Sequence, residues 1–263
     1  MAASASAAAL LTAQGRYLHD FFVIEDQDTF LLDAERARLA DLKRRLAVYR
    51  LRSKVTIEEK PAMAVAAVFG PDALASLGLL PDPGAARGFA SGVAFVDPRL
   101  VDLGARCVLL REGAEAALAA AGLGAADFAD YDRLRLRRGV PDVSRDLVPE
   151  KSLLLESGFD ELHGVDWNKG CYIGQELTAR TKYRGLVKRR LMPVAIAGPE
   201  PKPGAPIHAD GHEVGEMRSS RDGRGLALLR IDAVVGAQPQ LRAGDAVLRP
   251  EPQRWMRLPA SSG

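Results

Sequence analysis

This chain of 263 residues contains 47% apolar and 27% charged residues, the composition of an ordinary globular protein. It is long enough for one large domain or for two to three small ones, with a sizeable buried core. The formal net charge of +2 is too small to indicate a nucleic-acid-binding protein, and two cysteines cannot form a disulfide framework. No apolar run approaches the roughly 20 residues of a membrane-spanning helix, so we expect no membrane partner.

The N-terminal residues do not resemble a targeting signal. The first fourteen residues are mostly Ala and Ser and contain no Arg or Lys, unlike a secretory signal or an Arg-rich transit peptide. The two cysteines are also compatible with a reducing compartment. We therefore expect a cytoplasmic protein.

Residues 1–106 contain the elements of a small α+β unit. The apolar side chains of residues 39–49 recur at helical spacing, and a second, short helix is predicted over residues 71–77. Short strands are predicted around these helices, over residues 29–32, 55–59, 64–69 and 93–96. The order of strand, helix, strand, strand, helix, strand predicts a ferredoxin-like βαββαβ unit.

Residues 107–190 are predicted to be mainly helical. Asp127 is a suitable cap for a helix that ends at Gly139. The apolar face of this helix is predicted to carry Phe128, Tyr131 and Leu134. A second helix is predicted over residues 174–184, with an acidic residue in its first turn and cations in its last, as the helix dipole favours.

Residues 191–263 have a different pattern. The stretch 198–206 is rich in Pro and Gly, and short alternating segments separated by Gly-containing turns follow it. These predicted strands lie at residues 213–218, 226–231 and 246–248. The pattern is typical of a small β-barrel or sandwich.

The most informative segment is the octapeptide Lys-Gly-Cys-Tyr-Ile-Gly-Gln-Glu at residues 169–176. A thiol reacts or binds metal as the thiolate, which the neighbouring Lys169 favours at Cys171. Gly170 and Gly174 permit backbone conformations and close approaches that other residues do not. The alternative is a Cys that simply packs in a turn. The length of the motif favours a reactive Cys, as does the basic tract after it: Arg180, Lys182, Arg184, Lys188, Arg189 and Arg190.

The octapeptide, followed by Ala179-Arg180 and Tyr183-Arg184-Gly185, resembles the signature of the YgfZ family. The resemblance covers nearly the whole chain, because it also includes Gly139-Val140-Pro141, residues 164–167, Asp97-Pro98-Arg99 with Arg106, and Gln14-Gly15-Arg16 with Asp20. It implies an α+β fold of three domains around a central folate cavity, similar to the aminomethyltransferase T-protein of the glycine cleavage system. We therefore expect domains at residues 1–106, 107–190 and 191–263.

The same resemblance implies a function. Members of this family bind folate and help to assemble or maintain iron–sulfur clusters in other enzymes, and one branch is mitochondrial. The chain is accordingly expected to be a folate-dependent accessory factor that acts through Cys171, rather than an enzyme. Its expected partners are iron–sulfur enzymes or cluster carrier proteins, and a eukaryotic member would lie in the mitochondrial matrix.

The ligand implied by the resemblance is tetrahydrofolate or a derivative. Tyr131 lies where the family can place an aromatic ring against folate, although core packing explains it equally well. Arg180 and Arg184, and with less support Arg99, are candidates to bind the glutamate tail, although a solvated tract is an equal alternative. The octapeptide contributes further candidates, Gly170, Tyr172, Gly174, Gln175 and Glu176, of which the last two are also explained by helix capping.

Cys171 is also a candidate for transient metal binding, with Lys169 as its expected activator. Cubane clusters usually take four thiolates, and the chain has only Cys107 and Cys171. Cys107 lies in an apolar segment and is expected to be buried. Transient ligation, a cluster shared with a partner, and redox relay through a mixed disulfide all remain open. The spacing of the remaining histidines does not indicate a metal site: His163, His208 and His212.

Two departures separate the chain from the aminomethyltransferases. His19 stands, with Asp20 beside it, where those enzymes carry a catalytic Asp, and Arg137 and Arg138 stand before Gly139 where they carry a pterin-binding Glu. We therefore do not expect that activity. Family members usually also have a first strand and helix before the segment that corresponds to Leu10, and we expect these to be missing here.

Two further functions remain open. A folate-dependent one-carbon transferase would need His19 or Asp20 to replace the missing carboxylate. An RNA-binding module would use the basic tract at residues 180–190, but Tyr183 is the only aromatic residue within that tract. The RNA-binding hypothesis is therefore disfavoured.

Overall fold

The structure is a computed structural model that describes residues 4–26, 28–235 and 239–258. Within those residues it contains thirteen β-strands and six α-helices, with short 3-10 turns between them. None of the described helices is long and apolar enough to span a bilayer.

The chain forms two compact units, each built from two stretches of sequence. The first contains His19–Ala125 together with the described residues up to Ala9. The second contains Leu10–Leu18 together with the described residues from Ala126 onward. The predicted three-domain boundaries stay predictions.

The N-terminal strands form a three-stranded sheet in the order β1-β2-β3. Its strands are β1 (Ala5–Leu11), β2 (Tyr17–Asp26) and β3 (Thr29–Asp33). Helix α1 follows at Leu39–Tyr49, where the apolar spacing predicts it, and Leu42 is buried on its inner face.

The second sheet of the first unit is antiparallel throughout, in the order β4-β7-β6-β5. Its elements are β4 (Met63–Val68), α2 (Ala73–Ser76), β5 (Ala86–Phe89), β6 (Gly92–Val96) and β7 (Ala105–Leu110), followed by α3 (Ala114–Ala120). Strands β5, β6 and β7 form a meander, and β4 lies beside β7. The core under this sheet includes Val68, Leu77, Val96, Cys107 and Leu109.

The predicted ferredoxin-like βαββαβ unit is wrong in its elements and its pairing. Residues 55–59 form no strand, and all of them except the half-buried Ile57 are exposed. Alternation of apolar and polar residues is insufficient here, since a strand also needs a partner for its backbone groups. Strand β3 pairs with β2 instead of joining the four-stranded sheet. That sheet is completed by β5 and β7, neither of which is among the four strands predicted for this unit.

The described part of the second unit contains three α-helices: α4 (Phe128–Arg138), α5 (Val143–Asp146) and α6 (Gln175–Tyr183). As predicted, α4 begins after Asp127, which forms a capping box with Asp130. It ends at Gly139, whose φ of 72° is left-handed and therefore suits glycine. Helix α6 lies within the predicted range of residues 174–184.

The buried residues of α4 are Asp132, Arg135 and Leu136, and none of them belongs to the predicted apolar face. The residues predicted to form an apolar face are exposed or half-buried: Phe128, Tyr131 and Leu134. Instead, the buried Arg135 lies 2.7 Å from both Asp132 and Asp146 and donates to Ser219 at 2.8 Å. Buried charges need paired partners, and here two of them come from distant parts of the chain, which helical spacing cannot reveal.

The C-terminal part forms a closed six-stranded antiparallel barrel in the order β10-β11-β8-β13-β12-β9. Its strands are β8 (Arg189–Ala197), β9 (Pro206–Ala209), β10 (His212–Arg221), β11 (Arg224–Arg230), β12 (Leu241–Ala243) and β13 (Ala246–Pro250). Closure leaves no free strand edge. The barrel is filled by apolar side chains that include Met192, Ile207, Met217, Leu229 and Leu241. The predicted β-barrel is confirmed.

Candidate functional site

Residues 166–174 form an irregular segment before α6, which we call the thiol loop. Cys171 lies exposed within it. The other cysteine, Cys107, is buried in β7, where desolvation raises the pKa of its thiol to about 12. The prediction that Cys107 is buried is confirmed, and Cys171 supplies the accessible thiol of the chain.

Trp167 anchors the N-terminal side of the thiol loop. Its indole Nε1 donates a hydrogen bond to Oδ1 of Asp160 at 2.6 Å, and Nζ of Lys182 lies 4.1 Å from the centre of the Trp167 ring. The same Nζ pairs with Oδ2 of Asp160 at 2.9 Å. The ring of Tyr183 meets the indole edge-on, with 6.1 Å between ring centres. These contacts join the loop to α6.

Gly174 anchors the C-terminal side of the loop. Its φ of +82° lies in the left-handed region, and a Cβ at this position would lie 2.7 Å from both Cα of Gly15 and the carbonyl O of Thr12. The backbone N–H of Tyr172 donates to Oε1 of Gln175 at 3.1 Å, which closes the turn into α6. Glycine is therefore required at residue 174 for its conformation and for the close backbone approach.

The turn at residues 12–16 supports the thiol loop from within the same unit. Gly15 has a φ of +67°, and its N–H donates to the carbonyl of Thr12 at 2.9 Å. The chain after the turn is held by a hydrogen bond from the Tyr17 N–H to the Ser152 carbonyl at 3.0 Å. In the sequence, only the family resemblance singled out this turn. Its position next to Gly174 gives it a structural role.

Lys169 and Tyr172 contact each other across the thiol loop. The Lys169 ammonium lies 5.0 Å from the centre of the Tyr172 ring. The hydroxyl of Tyr172 is buried and has no hydrogen-bond partner among the residues that the structure describes. Burial raises the pKa of this phenol, and charge interactions with Asp166 and with the Tyr183 hydroxyl group add to the effect. The role of Lys169 in activating Cys171 stays a prediction.

The other predicted residues of the motif are more open. A Cβ built at Gly170 would have no atom within 4 Å, and its φ is not left-handed. Glu176 pairs with Arg180 at 2.7 Å on the exposed surface of α6, a kind of ion pair that contributes little to stability. Arg184 is exposed immediately after the last residue of α6. Both Arg180 and Arg184 are therefore available to an anionic ligand.

The end of the basic tract is not a continuous solvated surface. Arg190 is buried, lies 2.8 Å from Glu161 and donates to the Leu155 carbonyl at 3.0 Å. Arg189 is partly exposed, and its Nε lies 3.4 Å from Oε1 of Glu156. The exposed cations of the tract therefore include Arg180 and Arg184, on and just after α6, and Lys188, just before β8.

The remaining folate candidates occupy different places. Tyr131 is half-buried on α4 in the second unit. Arg99 lies in the first unit, where its Nε and Nη2 donate to the two oxygens of the buried Asp97 at 3.0 and 2.8 Å. The guanidinium groups of Arg99 and Arg106 both lie against the Phe22 ring, 4.9 and 4.6 Å from its centre. Arg99 therefore has a structural role independent of any ligand.

His19 occupies a closed position in the first unit. It is buried, and its Nε2 lies 2.8 Å from Oδ2 of Asp41, which also accepts from Nε of Arg45 at 2.7 Å. Burial lowers the pKa of His19 and outweighs the opposing hydrogen bond with Asp41. A neutral His19 therefore links β2 to α1.

Asp160 is the residue of the site that sequence reasoning missed. It contacts Trp167 and Lys182, which are 7 and 22 positions away in the sequence. The surrounding residues carry no local motif, and only residues 164–167 were marked by the family resemblance. Among the described residues, no group of three or more His, Cys, Asp and Glu side chains is arranged to hold a metal ion.

Comparisons with known proteins agree with this architecture. Residues 188–258 match the family model described as CAF17, C-terminal beta-barrel domain. The human iron–sulfur cluster assembly factor IBA57, mitochondrial, is 38% identical over 247 residues, which cover 89% of this chain and 67% of the human protein. The mouse protein of the same description is 35% identical over 276 residues, covering 96% of this chain and 73% of its own length.

Among solved structures, the glycine cleavage system aminomethyltransferase T from Bartonella henselae has the same fold. The TM-score is 0.71 at 16% identity, and the match covers 96% of this chain and 76% of that one. At this identity the likeness concerns the fold alone. The predicted aminomethyltransferase-like α+β fold with a C-terminal barrel is thereby confirmed.

Proposed function

The chain belongs to the IBA57/CAF17 (YgfZ) family of iron–sulfur cluster assembly factors, and on that basis we propose that it assembles or repairs the clusters of client enzymes through the thiol of Cys171. The observation that carries the proposal is the exposed Cys171 in a loop held at both ends. Such a thiol is reachable by a second protein, whereas the buried Cys107 is not.

The chemistry favours a cluster shared with a partner over one held by this chain alone. Iron–sulfur clusters are held mainly by thiolates, usually four of them. Cys171 supplies one, and the described residues contain no group of side chains that completes a metal site. A carrier protein or client enzyme would bring the other ligands. The cluster is then cargo, and Cys171 ligates it during transfer.

Complementation tests this proposal. Cells that lack their own member of the family would receive this chain, Cys171→Ala or the matched control Cys107→Ala, and iron–sulfur enzyme activities would be measured. We expect the unaltered chain and Cys107→Ala to restore these activities and Cys171→Ala to fail. Full rescue by Cys171→Ala would remove the thiol from the mechanism.

The nature of the ligation step needs a separate measurement. Purified chain would be mixed with a cluster-loaded carrier protein, and visible absorption and circular dichroism would follow the cluster. Spectral changes that depend on Cys171 support direct ligation. A mixed disulfide detected by mass spectrometry, without a spectral change, would instead support redox relay.

We also propose tetrahydrofolate or a derivative as a ligand. The residues present suit its acidic tail better than its pterin ring: Arg180 and Arg184 are exposed cations, whereas Arg137 and Arg138 stand where a pterin-binding carboxylate is expected. Calorimetric titration with mono- and polyglutamyl tetrahydrofolate tests the idea. We expect tighter binding of the polyglutamyl form and weaker binding by Arg184→Ala. Equal affinities throughout would contradict it.

The proposed partners are cluster carrier proteins and iron–sulfur enzymes. The matched human and mouse relatives are mitochondrial by their descriptions. We propose the matrix as the location if this chain is eukaryotic and the cytoplasm if it is bacterial. The one-carbon transferase alternative has less support, because His19 is already engaged by Asp41.

A further inference from the structure

We propose that Asp160, Trp167 and Lys182 form a clamp that fixes the thiol loop and thereby positions the Cys171 thiol for its partner. These are positioning residues, because they act through the loop and not on the cluster itself. The proposal rests on the proposed function for its biological meaning. Its physical content, a loop restrained by three side chains, is testable independently.

The clamp contacts Trp167 in two different directions. Asp160 accepts the hydrogen bond of the indole N–H at 2.6 Å in the plane of the ring, and the Lys182 ammonium lies 4.1 Å from the ring centre. Asp160 and Lys182 are themselves paired at 2.9 Å. Each member thus contacts the other two, so the loss of one weakens both remaining contacts.

The base of the clamp is fixed to the barrel. In the sequence, Asp160 lies between Phe159 and Glu161, whose side chains are both buried. Glu161 is 6% exposed and pairs at 2.8 Å with Arg190 of strand β8. The Asp160 carboxylate is therefore presented by backbone that is tied to the barrel, and Trp167 is held against a rigid support.

The charge on Asp160 is maintained by the clamp itself. Burial would raise the pKa of this carboxyl, but the hydrogen bonds from Trp167 and Lys182, with the charge of Lys182, outweigh burial and lower the pKa. The carboxylate is therefore ionised at neutral pH, and its hydrogen bonds are charge-assisted. Such bonds are stronger than those between neutral groups.

The thiol loop is also fixed at its C-terminal side, so the clamp at Trp167 restrains the position of Cys171. Cys171 lies between Trp167 and Gly174, which is held against Gly15. A short segment that is fixed at both ends has little conformational freedom. Release of Trp167 would leave Cys171 on a segment fixed only at its C-terminal side. The thiol would then sample many positions.

A spin label on Cys171 measures this directly. The native chain of 263 residues would be labelled with a methanethiosulfonate nitroxide, which reaches the exposed Cys171 and not the buried Cys107. Asp160→Ala and Lys182→Met remove the clamp in two ways, Lys182→Arg retains the cation, and Asp232→Asn removes an exposed carboxylate elsewhere as a matched control.

In the spectra of Asp160→Ala and Lys182→Met, we expect the ratio of the mobile to the immobile component to rise by about tenfold. This is the change in an equilibrium ratio that follows from losing one charge-assisted hydrogen bond. Lys182→Arg and Asp232→Asn should match the unaltered chain. The melting temperature should fall by only about 1–3 °C, because the clamp lies at the surface of its unit. Unchanged label mobility in both clamp variants would overturn the proposal.

A cluster-transfer assay separates failure of the clamp from failure of the proposed function. If both are right, Asp160→Ala and Lys182→Met slow transfer from a loaded carrier to a client enzyme, and Lys182→Arg restores the rate. Full activity of Cys171→Ala would defeat the proposed function and leave the mobility result standing. Normal transfer by mobile clamp variants, with Cys171→Ala inactive, would overturn the positioning role alone.

Discussion

Strand β7 and the thiol loop each carry one cysteine, and they hold it in opposite ways. Strand β7 is paired on both sides, with β4 and β6, and Cys107 is fully buried. The thiol loop is not hydrogen-bonded into a β-sheet. It is held by the Asp160–Trp167–Lys182 clamp and by the approach of Gly174 to Gly15. A ladder fixes a residue where solvent and partners cannot reach it, whereas side-chain anchors restrain a thiol and leave it exposed.

The largest expected consequence of this difference is in thiol reactivity. In the native protein at pH 8, iodoacetamide should alkylate Cys171 at least about a thousand times faster than Cys107, because a buried thiol reacts only after opening of the structure. A mass-spectrometric time course of the two cysteine peptides measures both rates. In denaturant the rates should converge, which is the control. Similar rates in the native protein would contradict the comparison.

The two glycines of the octapeptide should respond differently to substitution, because Gly174 is packed against the turn at residues 12–16 and Gly170 is open to solvent. Gly174→Ala should lower the free energy of unfolding by about 2–4 kcal/mol, because it forces a left-handed φ and a clash with the turn at residues 12–16. Gly170→Ala should change it by less than about 0.5 kcal/mol. Urea denaturation of both variants tests this. A strongly destabilised Gly170→Ala would show that the loop is not open there.

The two cysteines should also differ in how much they contribute to the stability of the fold. Cys107→Ala should lower the free energy of unfolding by about 1–2 kcal/mol, because it leaves a small cavity in the core. Cys171→Ala should change it by less than about 0.5 kcal/mol. Denaturation curves for both proteins supply the measurement. A Cys171→Ala variant with a large loss of stability would mean that the thiol packs within the loop.

The smallest expected effect is a response of the thiol loop to acid. The pKa of Asp160 is lowered in the folded chain, so its contacts stabilise the loop above the ordinary carboxyl range and are lost as the pH falls through the lowered pKa. Spin-label mobility at Cys171 should therefore rise below about pH 4. Asp160→Ala should already be mobile at neutral pH and lose this response. An identical acid response in that variant would assign it to another group.

Local signals predicted much of the fold because they act over a few residues. The capping box at Asp127 and the left-handed Gly139 bound α4 where the sequence places them, and the turn-rich C-terminal part forms the predicted barrel. The pairing of the β-strands was harder to predict from the sequence. The alternating segment at residues 55–59 has no partner strand, and no local pattern predicted that β3 would pair with β2.

The candidate site divides in the same way. The octapeptide identified Cys171 and its glycines, because their chemistry is visible in the residue types. Asp160 was missed, since its role depends on contacts that form only when α6 folds back near it. The same is true of the buried Arg135 on α4, whose partners include Asp146 and Ser219. Tertiary pairing of charges leaves no periodic trace in a sequence.

The position of Gly15 has a practical consequence for dissecting the protein. The turn at residues 12–16 belongs to the second unit, although the rest of that unit begins at Ala126. A fragment that starts at Ala126 would have the barrel and α6 but no backbone against which Gly174 can rest. Any minimal version of the barrel-bearing half must therefore be supplied with the peptide Leu10–Leu18, added separately or fused by circular permutation.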